Sequence, residues 1–201
     1  MSGLPPKIVM ATSNPGKIRE IARLLDELGV EVVAQSEFGV DDADESGDTF
    51  AENSLIKAQH AATATGLPAI ADDSGLTVDA LGGAPGVYSA RFSGPDADDR
   101  KNNEKLLLEL EGVAGRGAAF RCVATYVEPA GDAEPLVAEG VWRGEILDAP
   151  RGDGGFGYDP LFLVPECRAS SAELSAEEKN ARSHRGQALK KLVEMLKQRY
   201  T

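Results

Sequence analysis

Hydrophobic and polar positions follow two rhythms along this chain, and the change comes near Gly117. Before it, short apolar runs alternate with stripes at helical spacing. Lys7-Ile8-Val9-Met10-Ala11-Thr12 predicts a first strand, buried on both faces. Ser13-Asn14-Pro15-Gly16 interrupts it. Apolar residues then recur at Ile18, Ile21, Leu24, Leu25 and Leu28, which predicts a helix over 17–28 that stops at Gly29. Val30-Glu31-Val32-Val33-Ala34 reads as a second strand. Thr49-Phe50-Ala51-Glu52 has the form of a capping box and opens a helix that runs to Gly66. Leu67-Pro68-Ala69-Ile70-Ala71 is a short buried strand, and it runs directly into Asp72-Asp73-Ser74-Gly75. After the small-residue loop Gly82-Gly83-Ala84-Pro85-Gly86, residues 97–110 read as a surface helix.

From Gly117 the period becomes two. Phe120, Cys122, Ala124 and Tyr126 alternate with Arg121, Val123, Thr125 and Val127, a turn is expected at Pro129-Ala130-Gly131-Asp132, and a second extended run spans Leu136 to Ile146. This predicts a long antiparallel hairpin. A glycine-rich loop, Pro150 to Pro160, leads to a short strand at Leu161-Phe162-Leu163-Val164. Ser175-Ala176-Glu177-Glu178 is another helix start, and Leu189, Leu192, Val193 and Leu196 give the last helix its buried stripe, with Ser183 as its N-cap. Strands and helices alternate first and strands dominate later, so the chain is α/β.

Composition narrows the choice. At 201 residues the chain suits one domain, or one domain of two lobes. It carries a net charge of −12, which argues against a protein built to bind a nucleic-acid polymer, because phosphate contact needs a basic surface. No apolar run is long enough to cross a membrane, and Met1-Ser2-Gly3-Leu4-Pro5-Pro6 lacks the pattern of a signal peptide. Cys122 and Cys167 are far apart and follow no metal spacing, as expected for two reduced thiols in the cytoplasm. His60 and His184 are the two histidines, too few for a histidine-rich zinc site.

Three stretches carry candidate chemistry. An apolar strand that ends in two carboxylates, Asp72 and Asp73, puts negative charge at the rim of a core, where a divalent cation with oxygen ligands would compensate it. Asp-Asp-Ser-Gly is also ordinary turn chemistry, and both readings stand. Successive strand residues point to opposite faces, so the two acids should not enter one site together unless the strand kinks. The strand–turn–helix unit at Thr12 to Lys17 aims backbone N–H groups and a helix N-terminus at one spot, which suits an anion; the alternative is a plain capped helix. It is not a Walker A loop, since Ile18 follows Gly16-Lys17. In the glycine-rich loop, Phe156 and Tyr158 can form a wall that stacks on a planar ring, or can pack into the core of a linker. The formal G-x-G-x-x-G at 152–157 is rejected, because no strand-to-helix turn follows. His184 and Arg185 begin the last helix, where cations oppose the helix dipole, a local cost of the kind found at functional sites.

Together these stretches resemble the inosine triphosphate pyrophosphatase family, the non-canonical purine NTP pyrophosphatases. The matching segments are Ala11-Thr12-Ser13-Asn14-Pro15-Gly16-Lys17, Thr49-Phe50-Ala51-Glu52-Asn53, residues 71–92, Gly154-Gly155-Phe156-Gly157-Tyr158-Asp159-Pro160, and Glu178-Lys179 with Ser183-His184-Arg185-Gly186-Gln187. Ser13 stands where the family commonly has glycine. The resemblance implies an elongated mixed β-sheet flanked by helices, in two lobes with a central cleft that holds the active site. It also implies a homodimer, Mg²⁺, and hydrolysis of ITP, dITP and XTP to the monophosphate and pyrophosphate. By the same resemblance, Thr12, Ser13, Asn14, Pro15, Gly16 and Lys17 cradle the triphosphate. Asp73 is general base and metal ligand, an acid of the Asp44-Glu45 pair is the second ligand, and Ser74 contacts substrate. Phe156, Gly157, Tyr158, Asp159, Lys179, His184 and Arg185 form the base pocket.

The residue chemistry is compatible with that reaction. Lys17, a helix N-terminus and Mg²⁺ can neutralise a triphosphate, and a carboxylate such as Asp73 can orient and deprotonate an in-line water. Donors from Lys179, His184 or Arg185 suit the 6-carbonyl of hypoxanthine and xanthine and meet the 6-amino group of adenine badly, which can give discrimination of ~10⁴ or more. Two other readings compete: a Maf-like pyrophosphatase acting on pyrimidine triphosphates, and a non-catalytic nucleotide-sensing module.

Overall fold

The structure, a computed structural model, describes residues 3–96, 98–129 and 133–200. Met1, Ser2, Ala97, Thr201, and residues 130–132 of the expected turn, lie outside these described residues. Among them the elements run β1 (Lys7–Met10), α1 (Pro15–Asp26), β2 (Glu31–Ala34), α2 (Phe50–Thr65), β3 (Ala69–Val78) and α3 (Asp99–Glu109). The second half adds β4 (Gly117–Val127), β5 (Leu136–Ile146), β6 (Phe162–Val164), β7 (Ala169–Ser170), α4 (Ala176–Arg182) and α5 (His184–Tyr200).

The strands form one seven-stranded sheet in the order β2-β1-β3-β4-β5-β6-β7. It is mixed. β1 pairs in parallel with both β2 (Lys7 opposite Glu31) and β3 (Met10 opposite Ile70), as strands joined by crossover helices must. At the other end β5–β6 and β6–β7 are antiparallel. β4 lies in the middle of the order, and its expected one-sided alternation is replaced by burial on both faces: Val123, Thr125 and Val127 are buried along with Phe120, Cys122 and Tyr126.

Two compact units divide the chain. The first holds residues up to Asp73, Cys122–Gly140 and the chain from Arg185; the second holds Ser74–Arg121 and Val141–His184. In the first, Ile8, Met10, Ile21, Leu25, Ile70, Tyr126, Leu189 and Leu192 share one core, while Val9, Ala58, Ala61, Ala62, Ala69 and Ala71 form a second under α2. The alanines let α2 lie close. In the second unit Leu76, Leu106, Leu110, Tyr158 and Leu161 pack around the rings of Phe120, Trp142 and Phe162. Phe120 and Phe162 have centroids 4.5 Å apart. α3 lies on the surface as expected and is anchored by the fully buried Leu106 and, at its C-cap, Leu110.

Two further corrections concern boundaries. The strand expected to stop at Ala71 continues through Asp72-Asp73-Ser74-Gly75 to Val78, so that stretch is not a turn. Its neighbours in the sheet supply the pairing that overrides local turn preference. β6 starts at Phe162, because Asp159–Leu161 forms a short 3₁₀ turn. The capping box of α2 is present as expected: Thr49 Oγ1 accepts from Glu52 N, Glu52 Oε2 accepts from Thr49 N, and Gly66 closes the helix in the left-handed conformation.

Candidate active site

β3 carries Asp72 and Asp73 side by side, and its pleat sends them to different partners. Asp72 is buried, its side chain 1% exposed. Its Oδ2 accepts from Lys17 Nζ at 2.8 Å and from Arg185 Nε at 3.2 Å, with the Cys122 thiol 3.9 Å away. Burial alone would raise this carboxyl, but the charges of Lys17 and Arg185 outweigh it and hold Asp72 well below the usual carboxylate range. Its Oδ1 is buried and accepts no hydrogen bond. Cys122 feels the opposite pull: burial first, then the Asp72 charge, push its thiol well above the usual value, so it stays a protonated, inert thiol.

Asp73 meets α2. Lys57 Nζ donates to its Oδ1 at 3.0 Å, and the fully buried Asn53 donates from Nδ2 to its Oδ2 at 3.3 Å. Lys57 also donates to Glu45 Oε1 at 2.6 Å. Two carboxylates thus converge on one ammonium. Burial raises the Asp73 carboxyl above its ordinary value despite Lys57, and Glu45 pushes the same way. Lys57 is raised as well: burial opposes its charge, but Asp73 and Glu45 outweigh burial. One cation shared by two acids leaves the group net negative, which favours the proton on Asp73 and on Lys57.

The same convergence tests the fit of a divalent metal. Glu45 and Asp73 already face one point where positive charge is favoured, and both offer hard oxygen donors. Mg²⁺ is commonly held by one or two carboxylates with phosphate oxygens and waters completing the shell. The residues therefore fit it, with no third carboxylate, histidine or cysteine grouped with them among the described residues. Of the Asp44-Glu45 pair the structure brings Glu45 into this group; Asp44 lies on the exposed side of the loop.

The turn at 12–17 caps the helix that follows it. Asn14 is the N-cap of α1, and its Oδ1 accepts from Gly16 N at 2.8 Å and Lys17 N at 3.3 Å. Thr12 Oγ1 accepts from Asn14 N at 3.2 Å, and Pro15 at the first helical position has no N–H to offer. The Gly16 and Lys17 amides are thus engaged in capping, and Ser13 is exposed. The turn also carries the ammonium of Lys17.

In the second unit Asp159 organises the glycine-rich loop. Its Oδ2 accepts from Phe156 N at 2.8 Å and from Lys179 Nζ, and its Oδ1 accepts from Ser171 Oγ at 2.9 Å. A side chain at Gly155 would run into that carboxylate, and Gly155 sits at φ +79°. Phe156 is 65% exposed, with Lys179 Nζ 4.6 Å from its ring centroid. Gly157 is clamped by α3: its N–H donates to Asp99 Oδ2 at 2.7 Å and its carbonyl accepts from Asn103 Nδ2 at 2.9 Å. Tyr158 is the correction. It is 4% exposed and donates its hydroxyl to Ser89 O at 2.8 Å, so its ring is core and the exposed wall narrows to Phe156. His184 stacks on Phe120, with centroids 5.1 Å apart and planes 14° apart. Ser74 follows Asp73 in β3 and is half-buried.

Lys17, Asp73 and Glu45 thus lie in one unit and Phe156, Asp159, Lys179 and His184 in the other; Arg185, expected with the base-pocket residues, falls in the first unit and donates to Asp72, and Asn53 and Lys57 were not among the expected site residues. Their signal was available: two polar residues four apart, on a helix whose adjacent stripe is alanine and serine. Ser54, next to Asn53, confirms that this stripe faces inward, since its Oγ lies 2.7 Å from Thr125 Oγ1.

A mixed sheet flanked by helices, with acids of a buried strand held by lysine and arginine from three helices, defines an α/β protein equipped to handle a polyanion beside a carboxylate. Residues 8–195 match the Ham1 family, and the chain belongs to that family. It is 56% identical to the dITP/XTP pyrophosphatase of Pectobacterium atrosepticum and 58% to that of Yersinia pestis, in each case over 193 residues, 95% of this chain and 98% of the relative. The structure of a HAM1 protein from Coxiella burnetii superposes with a TM-score of 0.92 at 49% identity, covering 96% of this chain and 98% of that one.

Proposed function

We propose that this chain is a pyrophosphatase of non-canonical purine nucleoside triphosphates, converting dITP, XTP and ITP to the monophosphate and pyrophosphate. The observation that carries the reading is the convergence of Glu45 and Asp73 on Lys57, with Asp73 raised by burial above its ordinary value. A carboxylate so raised is a better base near neutral pH than a solvated one. Membership of the Ham1 family, and relatives of 56% and 58% identity named for dITP and XTP, support the substrate class.

In this mechanism Lys17 releases part of its hold on Asp72 to meet the triphosphate, and Arg185 keeps Asp72 compensated. Asp73 orients a water in line with the α-phosphorus and takes its proton. Lys57 holds Asp73 and Glu45 in place. Magnesium, held by Glu45 and Asp73, supplies neutralisation of the phosphate oxygens when bound. Phe156 stacks on the purine, and Lys179, fixed by Asp159, offers a donor to the 6-carbonyl. A site built to donate to a carbonyl rejects the adenine amino group, because the buried donor is then left unpaired. A homodimer belongs to the same proposal, and light scattering over a range of protein concentrations tests it.

A panel of nucleoside triphosphates with Mg²⁺ tests the function. Pyrophosphate from dITP, XTP and ITP supports it; pyrophosphate from UTP or dTTP instead, or no product from any, would overturn it. In ¹⁸O-water the label is expected in the monophosphate; label in the pyrophosphate would overturn attack at the α-phosphorus.

A further inference from the structure

The loop that brings Glu45 to Lys57 is tied down two residues later. Gly47 N donates to Asn53 Oδ1 at 2.8 Å, while Asn53 Nδ2 donates to Asp73 Oδ2 at 3.3 Å. Asn53 is fully buried, so both ends of its amide are committed away from water. Four residues on, Lys57 makes the parallel pair of contacts, to Glu45 Oε1 and to Asp73 Oδ1. Residues four apart on a helix share a face. The two side chains therefore grip different oxygens of the same carboxylate, and each also grips the acidic loop. The circuit closes through Asp73, Asn53, Gly47, Glu45 and Lys57.

The approach at Gly47 is close. A Cβ there would lie 2.6 Å from Glu52 Cβ and 2.8 Å from Asn53 Oδ1, so only a glycine lets the loop reach the asparagine. Lys57 is a cation on a flexible stem, and an incoming triphosphate competes for it. Asn53 is neutral, short and buried, and nothing in a polyanion attracts it away. The fixed half of the circuit is the amide.

We propose that Asn53 is a positioning residue which, through Gly47, sets the separation and orientation of the Glu45 and Asp73 carboxylates for the pyrophosphatase reaction. This rests on the function proposed above. Asn53 touches neither water nor substrate in that role; it acts through Asp73 and the loop.

Asn53→Ala and Gly47→Ala attack the link from opposite ends, and the second removes no side chain that touches Asp73. Each is expected to lower kcat for dITP by about 10–100-fold, the range seen when an outer partner of a ligand is removed. KM for dITP should stay within about threefold, because Lys17 and the base loop are untouched. The double variant should lose little more than the worse single one, since the two changes cut one link. The readout independent of turnover is exchange of the Gly47 amide hydrogen followed by NMR: protected in the parent protein and fast in Asn53→Ala, with the other α2 amides still protected. Parental kcat in both variants, losses that multiply in the double variant, or an unprotected Gly47 amide in the parent protein would each overturn the proposal. If the parent protein releases no pyrophosphate, the functional reading fails, and the Gly47 amide still decides whether the link exists.

Discussion

Asp72 and Asp73 are one peptide apart on the same buried strand, and their environments diverge. On one side of β3, Asp72 accepts from two cations, and its carboxyl is held far down. On the other side, Asp73 shares one cation with Glu45, and its carboxyl is pushed up. Both acids lose hydration, so burial is common to the two. What separates them is the ratio of positive to negative charge within reach. A surplus of cations makes an acid into a fixed anchor. A deficit makes it into a group that can accept a proton. The period-two pleat of the strand sorts the two roles with no loop or kink.

The comparison breaks most sharply by neutralising each acid in turn. Asp73→Asn is expected to lower kcat by about 10²–10⁴-fold, the usual contribution of a general base, with little change in the thermal midpoint. Asp72→Asn should do the reverse in emphasis. It leaves Lys17 and Arg185 facing a neutral amide, and removing one partner of a buried ion pair costs about 3–5 kcal/mol, read by urea titration. That deficit depends on pH. A carboxyl whose folded pKa is depressed contributes stability above its unfolded pKa, about 3.9, and loses it as pH falls through the folded value. The stability gap between parent and Asp72→Asn should therefore be full at neutral pH and narrow below about pH 4. A gap that widened in acid would contradict the ion-pair account.

Smaller effects sharpen the contrast between these buried acids and the exposed loop. Phe156→Ala removes one ring face, and a base stacked on an aromatic is worth about 1–3 kcal/mol, so KM for dITP should rise by roughly tenfold with kcat nearly unchanged. Glu52→Ala opens the capping box of α2 beneath the acidic loop. It should cost about 0.5–2 kcal/mol in a thermal or urea melt and change kcat little beside the loss at Asp73.

Much of this was legible along the chain because it rests on local rules. The capping box at Thr49 and Glu52, the Gly66 stop and the limits of β5 at Leu136 and Ile146 follow from side-chain chemistry and period, and the structure has them. Strand alternation alone separated Asp72 from Asp73. Non-local pairing hid the rest. Asp72-Asp73-Ser74-Gly75 carries turn formers, yet sheet neighbours hold it extended. Asn14 reads from sequence as part of an anion turn or as a helix cap, and its side chain here satisfies two N–H groups at once. Tyr158 and Phe156 look alike in a glycine-rich loop, and only the carbonyl of Ser89 decides which one turns inward. Asn53 and Lys57 read as polar positions on an alanine-rich helix until Asp73, 20 and 16 residues later, is seen to lie against them.

We propose that these neighbouring acids do different work, Asp73 on water and Asp72 on cations. The most direct test is the kcat for pyrophosphate release from saturating dITP with Mg²⁺, measured for Asp73→Asn alongside its melting temperature. A fall of about 10² or more in a variant that melts like its parent is the predicted result. Turnover near the parental rate in a folded Asp73→Asn protein would contradict it.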